Sequence, residues 1–130
     1  MRSLARDLKF SMDETGRPRS RFINVEEGIE RVGGNRELFF KLLRRFADEY
    51  ADSVQVILDL IKQDNLVEAE NQCHGLKGVA GNLSMVDLFE SAKEIDDDLK
   101  KGLVPSSDRL ELFASRLAYT IEETNQLHPL

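Results

Sequence analysis

Leu66-Val67-Glu68-Ala69-Glu70-Asn71-Gln72-Cys73-His74-Gly75-Leu76-Lys77-Gly78-Val79-Ala80-Gly81-Asn82-Leu83 places apolar residues at Leu66, Ala69, Cys73, Leu76, Ala80 and Leu83. Alternating steps of three and four draw one narrow stripe along a helix, the seam of a helix that packs on other helices. The same run holds Gly75, Gly78 and Gly81. A glycine inside a helix costs roughly 1 kcal/mol relative to alanine, so the segment gives up on the order of 2–3 kcal/mol. A whole domain is stable by only roughly 5–15 kcal/mol. That sacrifice suggests that something approaches the backbone closely beside an imidazole. With His, Lys and small residues on one exposed face, the inference is phosphate chemistry with a docking partner.

The flanking sequence repeats the helical pattern. A short helix is expected from about Val25 to Val32, stopped by Gly33-Gly34. Asn35 can cap a long helix reaching about Lys62, whose stripe is Phe39, Leu42, Leu43, Phe46, Tyr50, Val54, Ile57, Leu58 and Ile61. Asp64-Asn65 breaks it, and Asn65 with Glu68 forms a capping pair for the His74 helix. Ser84-Met85-Val86-Asp87 has the form of a capping box, with Ser84 as cap of a helix carrying Leu88, Ala92, Ile95 and Leu99 and closed by Gly102. Pro105-Ser106-Ser107-Asp108 opens a last helix with Leu110, Phe113, Leu117, Ile121 and Thr124 inward. No segment alternates with period two, and no Asn-Gly or Asp-Gly hairpin turn occurs. The expected fold is all-α: an antiparallel up-down-up-down four-helix bundle with a short extra N-terminal helix. Residues 1–21 read as a polar tail or linker, with Leu4, Leu8 and Phe10 in a short helix, and residues 22–127 as the bundle domain.

Composition limits the function classes. The 130 residues suit one domain; 41% hydrophobic content supports one core, and the net charge of −6 argues against a nucleic-acid or anionic-membrane binder. Lys41, Arg44 and Arg45 read as a solvated helical face. Cys73 is the only cysteine, too few for a disulfide or a cysteine-based zinc site, so a reducing, cytoplasmic setting fits. No apolar run approaches the ~20 residues of a membrane span, which argues against membrane insertion.

At about 100° per residue, with His74 as zero, Lys77 lies near −60°, Gly78 near +40°, Gly81 near −20°, Glu70 near −40° and Asn71 near +60°. The seam centres well over 90° away, so His74 is predicted at the rim of the bundle. With an ordinary pKa of about 6.5, imidazole is a neutral nucleophile at cellular pH. Its attack on a phosphoryl group gives a phosphoramidate reactive enough to pass the group on. Lys77 can neutralise phosphate oxygens. Gly78 and Gly81 remove side chains that would block another protein's site. Cys73 falls on the seam and reads as a buried structural thiol. Asp96-Asp97-Asp98 with Glu94 reads as a solvated face, because consecutive helical residues fan around the axis. His128 reads as part of a frayed end. A helical metal bundle would need inward Glu-x-x-His pairs, which the chain lacks, so no metal is expected.

His74-Gly75-Leu76-Lys77-Gly78-Val79-Ala80-Gly81-Asn82-Leu83 resembles the signature of histidine-containing phosphotransfer (HPt) domains of bacterial phosphorelays: His, any residue, Leu, Lys, Gly, small residues, then Gly-Asn-Leu. The resemblance extends over about Phe22 to Gln126. It takes in the Gly33-Gly34-Asn35 turn, the aromatic-rich helix through Phe46 and Tyr50, and the Asp64 turn. One position departs, since the family usually has Gly where this chain has Ser84. The resemblance implies that His74 accepts phosphate on Nε2 from a phospho-aspartate of a response-regulator receiver domain and returns it to another. It also implies that Lys77 and the glycine face form the docking site, with Glu70 and Asn71 beside them. Partners are then receiver domains and a hybrid sensor histidine kinase, with Mg²⁺ in the partner and no cofactor in this chain. Without a nucleotide-binding loop or kinase core, the chain reads as a phosphocarrier and not as a kinase. The alternative is a helical adaptor that binds a partner without accepting phosphate.

Overall fold

The computed structural model describes residues 22–127, where every regular element is helical. The expected tail of residues 1–21, its short helix and His128 lie outside the described residues. Helix α1 spans Val25–Arg31, α2 Arg36–Tyr50, α3 Ser53–Lys62, α4 Leu66–Asn82, α5 Val86–Lys100 and α6 Ser107–Gln126.

Short polar side chains begin four of these helices. Asn24, Asn35, Asn65 and Ser106 each accept from the backbone N–H three residues on, at 3.1, 3.0, 3.3 and 3.2 Å. Each cap is worth about 1 kcal/mol. Four helices also end alike, with Gly34 N donating to Ile29 O, Asn65 N to Leu60 O, Met85 N to Ala80 O and Leu103 N to Asp98 O. This closure needs a left-handed residue just past the helix. Glycine supplies it at Gly33 (φ 74°) and Gly102 (φ 73°), whereas Asp64 (φ 58°) and Ser84 (φ 56°) adopt it with a side chain.

Ser84 therefore corrects a sequence expectation. The cap position of α5 belongs to Met85, which makes no side-chain cap bond, and Ser84 is the left-handed residue that ends α4. That is the conformation for which the family pattern uses glycine. A non-glycine residue there costs about 1–2 kcal/mol. Ser84 Oγ donates to Glu27 Oε1 at 2.8 Å, and its carbonyl accepts from Asn24 N at 2.8 Å, which offsets the strain. The serine thus clasps α1 to the α4–α5 turn.

The expected long helix is bent into two. Asp52 takes φ −101° and ψ 6° between α2 and α3, yet its carbonyl still accepts from Val56 N at 3.0 Å. Asp52 and Ser53 both compete with helical backbone bonds, which makes this the weak point of the run. The stripe continues across the bend, with Phe46, Val54 and Ile57 buried. Bending lets α2 pack on α6 while α3 packs on both α4 and α6.

Helix α4 lies between α3 and α5, α6 packs on α5 and returns to α2 and α3, and α1 rests on α2. The seam predicted for α4 is buried at Ala69, Cys73, Leu76, Ala80 and Leu83, and that of α5 at Leu88, Ala92, Ile95 and Leu99. Phe39, Phe46 and Phe113 fill the centre. Where α4 meets α5 the side chains are small, and Cys73 Sγ donates to the Ala92 carbonyl at 3.3 Å. Ala69, Ala80 and Ala92 let the two backbones approach, which brings α5 side chains within reach of His74.

Candidate functional site

His74 follows buried Cys73 on α4, and its side chain stands 61% exposed at the rim, as the wheel predicts. Its Nδ1 lies 3.5 Å from Asp96 Oδ2 on α5 and 4.0 Å from Glu70 Oε2, one turn earlier on α4. The contact with Asp96 selects the tautomer in which Nδ1 carries the proton and donates it, leaving a lone pair on Nε2 across the ring.

Asp96 is the residue that the sequence reading missed. Expected on a solvated face, it is fully buried, and Lys77 Nζ and Lys100 Nζ both donate to its Oδ2, at 2.9 and 3.1 Å. Asp97 is half-exposed and pairs with Lys93, while Asp98, its side chain only 18% exposed, pairs with Arg109. A signal was present: Asp96 lies four residues after Ala92 and three before Leu99, nearer the seam than its two neighbours. Lys100 was also missed, and it makes a second cation beside Lys77.

Burial alone would raise the Asp96 carboxyl, but hydrogen bonds involving Glu70, Lys77, Lys100 and His74 outweigh it and hold the group well below the usual carboxylate range. Glu70 moves the other way, raised by hydrogen bonding to Asp96, by desolvation and by the Asp96 charge. Lys100 is raised by its bond to Asp96. Asp96 Oδ1 is buried without a hydrogen-bond partner among the described residues. Burial pushes the Cys73 thiol up to about 12, so beside His74 it remains an inert packing group.

The glycines divide into two kinds. Among the described residues, a Cβ at Gly75 or Gly78 would meet nothing within 4 Å, whereas one at Gly81 would come within 3.1 Å of the Phe89 ring. Gly81 thus also serves packing between α4 and α5. Asn71 is exposed on the same side of α4. Gly78 and Gly81 open onto a groove of about 420 Å³ whose other walls include Glu27 and Arg31 of α1, Ser84 and Phe89.

Ligand atoms of Glu70, His74 and Asp96 lie within 4.8 Å of one another, close enough to hold a cation. Lys77 and Lys100 both already pair with Asp96 Oδ2, so a cation there would have to displace two ammonium groups. What remains free is the Nε2 lone pair of an exposed ring, with two ammonium groups gathered on the carboxylate that faces Nδ1.

The site is thus an exposed imidazole held by a buried carboxylate within an all-helical fold. Residues 41–126 match the family model of the Hpt domain, about two thirds of the chain, so the chain belongs to the Hpt domain family. That membership implies histidine phosphotransfer in phosphorelays, as carried out by phosphocarriers that work with receiver domains and kinases. The match contains α3 to α6 and all of the His74 cluster, while α1 lies before it. Neither a curated protein nor a solved structure matches the chain. No helix among the described residues is long and apolar enough to cross a membrane.

Proposed function

We propose that His74 is the phosphoacceptor, taking a phosphoryl group on Nε2 from the phospho-aspartate of a response-regulator receiver domain and passing it to the aspartate of another. The observation that carries this reading is the Nδ1 contact with buried Asp96, on a ring that is itself exposed. In the step, the Nε2 lone pair attacks phosphorus and the aspartyl O–P bond breaks, its electron pair leaving on the carboxylate. The ring keeps its Nδ1 proton and becomes cationic. Asp96 stabilises that charge and fixes the ring's orientation, while Lys77 and Lys100 supply positive charge for the phosphoryl oxygens. Mg²⁺ belongs to the receiver, and this chain's part is to present the nucleophile.

The receiver docks on the bare backbone at Gly78 and Gly81, flanked by Glu70 and Asn71. The groove beside Gly78, walled by α1, extends that face. Residues 22–127 form the phosphotransfer domain, an antiparallel up-down-up-down bundle in which α2 and α3 act as one bent arm and α1 is the short extra helix. A hybrid sensor kinase is a second source of phosphate, the chain itself acting as a carrier without ATP-dependent activity in the cytoplasm.

The test is incubation with a phosphorylated receiver and Mg²⁺. Acid-labile, alkali-stable label should appear on the wild-type chain and be absent from His74→Gln. Label surviving that substitution moves the acceptor elsewhere, and no label from any receiver leaves the adaptor reading.

A further inference from the structure

The cluster contains one group that the transfer just described does not use. Glu70 sits one helical turn before His74, its side chain only 21% exposed and its Oε2 4.0 Å from the imidazole Nδ1. Its neighbour across the helix interface is Asp96, fully buried and with Oδ1 lacking a donor among the described residues. The charged groups that bear on Glu70 come from two helices, His74 on its own and Asp96 with Lys100 on α5. We propose that Glu70 is a positioning residue whose carboxylate keeps phosphorylated His74 short-lived and ready to give its phosphoryl group away. The inference rests on His74 being the acceptor and assigns Glu70 work beyond docking.

The physical argument concerns the leaving group. When the phosphoryl group departs, an incoming oxygen bonds to phosphorus and the Nε2–P bond breaks, its electron pair returning to the ring. A ring that carries a proton on Nδ1 leaves as neutral imidazole; one that lacks the proton must leave as imidazolate, a far poorer leaving group. Ionised Glu70 favours the protonated ring and also repels the phosphoryl oxygens. Both effects speed loss of the group. Asp96 also faces Nδ1, but Lys77 and Lys100 share its charge. Glu70 can therefore be discharged without dismantling the buried pair. On protonation its charge beside the ring disappears, so the device answers to pH.

Phosphoramidate, a small chemical donor, can load His74 without a receiver, and loss of label is then followed in wild type and Glu70→Gln at a series of pH values. Near neutral pH the variant's phosphohistidine should last about two- to fivefold longer, the size expected of one partly exposed charge. The ratio should fall towards one as pH drops into the range where Glu70 takes up its proton. A merely structural role for Glu70 would not produce that pH dependence. Equal lifetimes near neutral pH, or a ratio unchanged by pH, overturns the inference and leaves His74 as acceptor. Failure of phosphoramidate to label His74 instead overturns the acceptor reading itself.

Discussion

The two faces of α4 are built to opposite rules. On the inner face Ala69, Cys73, Leu76 and Ala80 are fully buried within the hydrophobic core. On the outer face Gly75 and Gly78 leave space that no described part of the chain fills. Packing explains the inner face completely. It gives no reason for the outer one, where alanine would add roughly 1 kcal/mol of helix stability per site. A cost that the fold does not require points to a requirement outside the chain, in what must come close to His74.

The largest effects should separate these faces. Leu76→Ala removes a fully buried side chain and should cost about 2–5 kcal/mol. His74→Ala, two residues away, should change stability by less than about 0.5 kcal/mol while abolishing phosphorylation. Denaturant melts paired with transfer assays check both. A large stability loss in His74→Ala would merge the two faces into one core.

Asp96 breaks the simple division, since it is buried yet belongs to the outer site. Asp96→Asn leaves two ammonium groups without their counter-charge and should cost about 1–3 kcal/mol near neutral pH. Its folded pKa is depressed, so the stability it contributes is complete above the unfolded value of about 3.9 and is lost as pH falls through the lower folded value. The gap between wild type and variant should therefore close in strong acid. The variant should also transfer more slowly, and nitrogen NMR should show Nδ1–H no longer dominant on His74.

What could be read from the sequence follows the same line. Seams, caps and stops depend on residues a few positions apart, and those at Asn35, Asn65, Gly33 and Gly102 stand where local chemistry places them. The His74 face was legible for the same reason, being written on one helix. The nearness of Asp96 to the α5 seam was readable from spacing, but its meeting with His74, and that of Lys100 with Asp96 beside the ring, depends on how far α5 slides along α4, which no spacing within one helix records. The bend at Asp52 was hidden because the apolar stripe runs through it unbroken. Ser84 was misread because a serine before a helix has the form of a cap, and only the backbone shows it ending the previous one.

Gly78→Leu sharpens the comparison more gently. It should raise helix stability by roughly 0.5–1 kcal/mol, since no described residue lies within 4 Å of the added Cβ. Receiver-dependent transfer should fall severely, while labelling by phosphoramidate should persist, because a small donor needs no docking face. Normal kinetics with a receiver would remove the steric argument for the bare backbone.

The smallest effect should come from Glu70, and its sign is opposite to that of Asp96. Asp96 holds Glu70 above its ordinary range, so the fold favours the protonated carboxyl. The stability this contributes is present below the unfolded value of about 4.3 and is lost as pH rises through the folded value. Near neutral pH the ionised group is therefore a burden on the fold. Gln carries no charge and has similar helix propensity. Glu70→Gln should thus melt about 1–2 °C higher than wild type near pH 7, and the advantage should vanish near pH 4. A variant less stable at neutral pH would mean that Glu70 is held there by favourable pairing with Lys100 and His74, and that the strain lies elsewhere. If the predicted sign holds, a residue that weakens the fold at the pH where the domain works stands beside the very nitrogen whose proton governs departure of the phosphoryl group, which places Glu70 with Gly75 and Gly78 among features that packing alone does not explain.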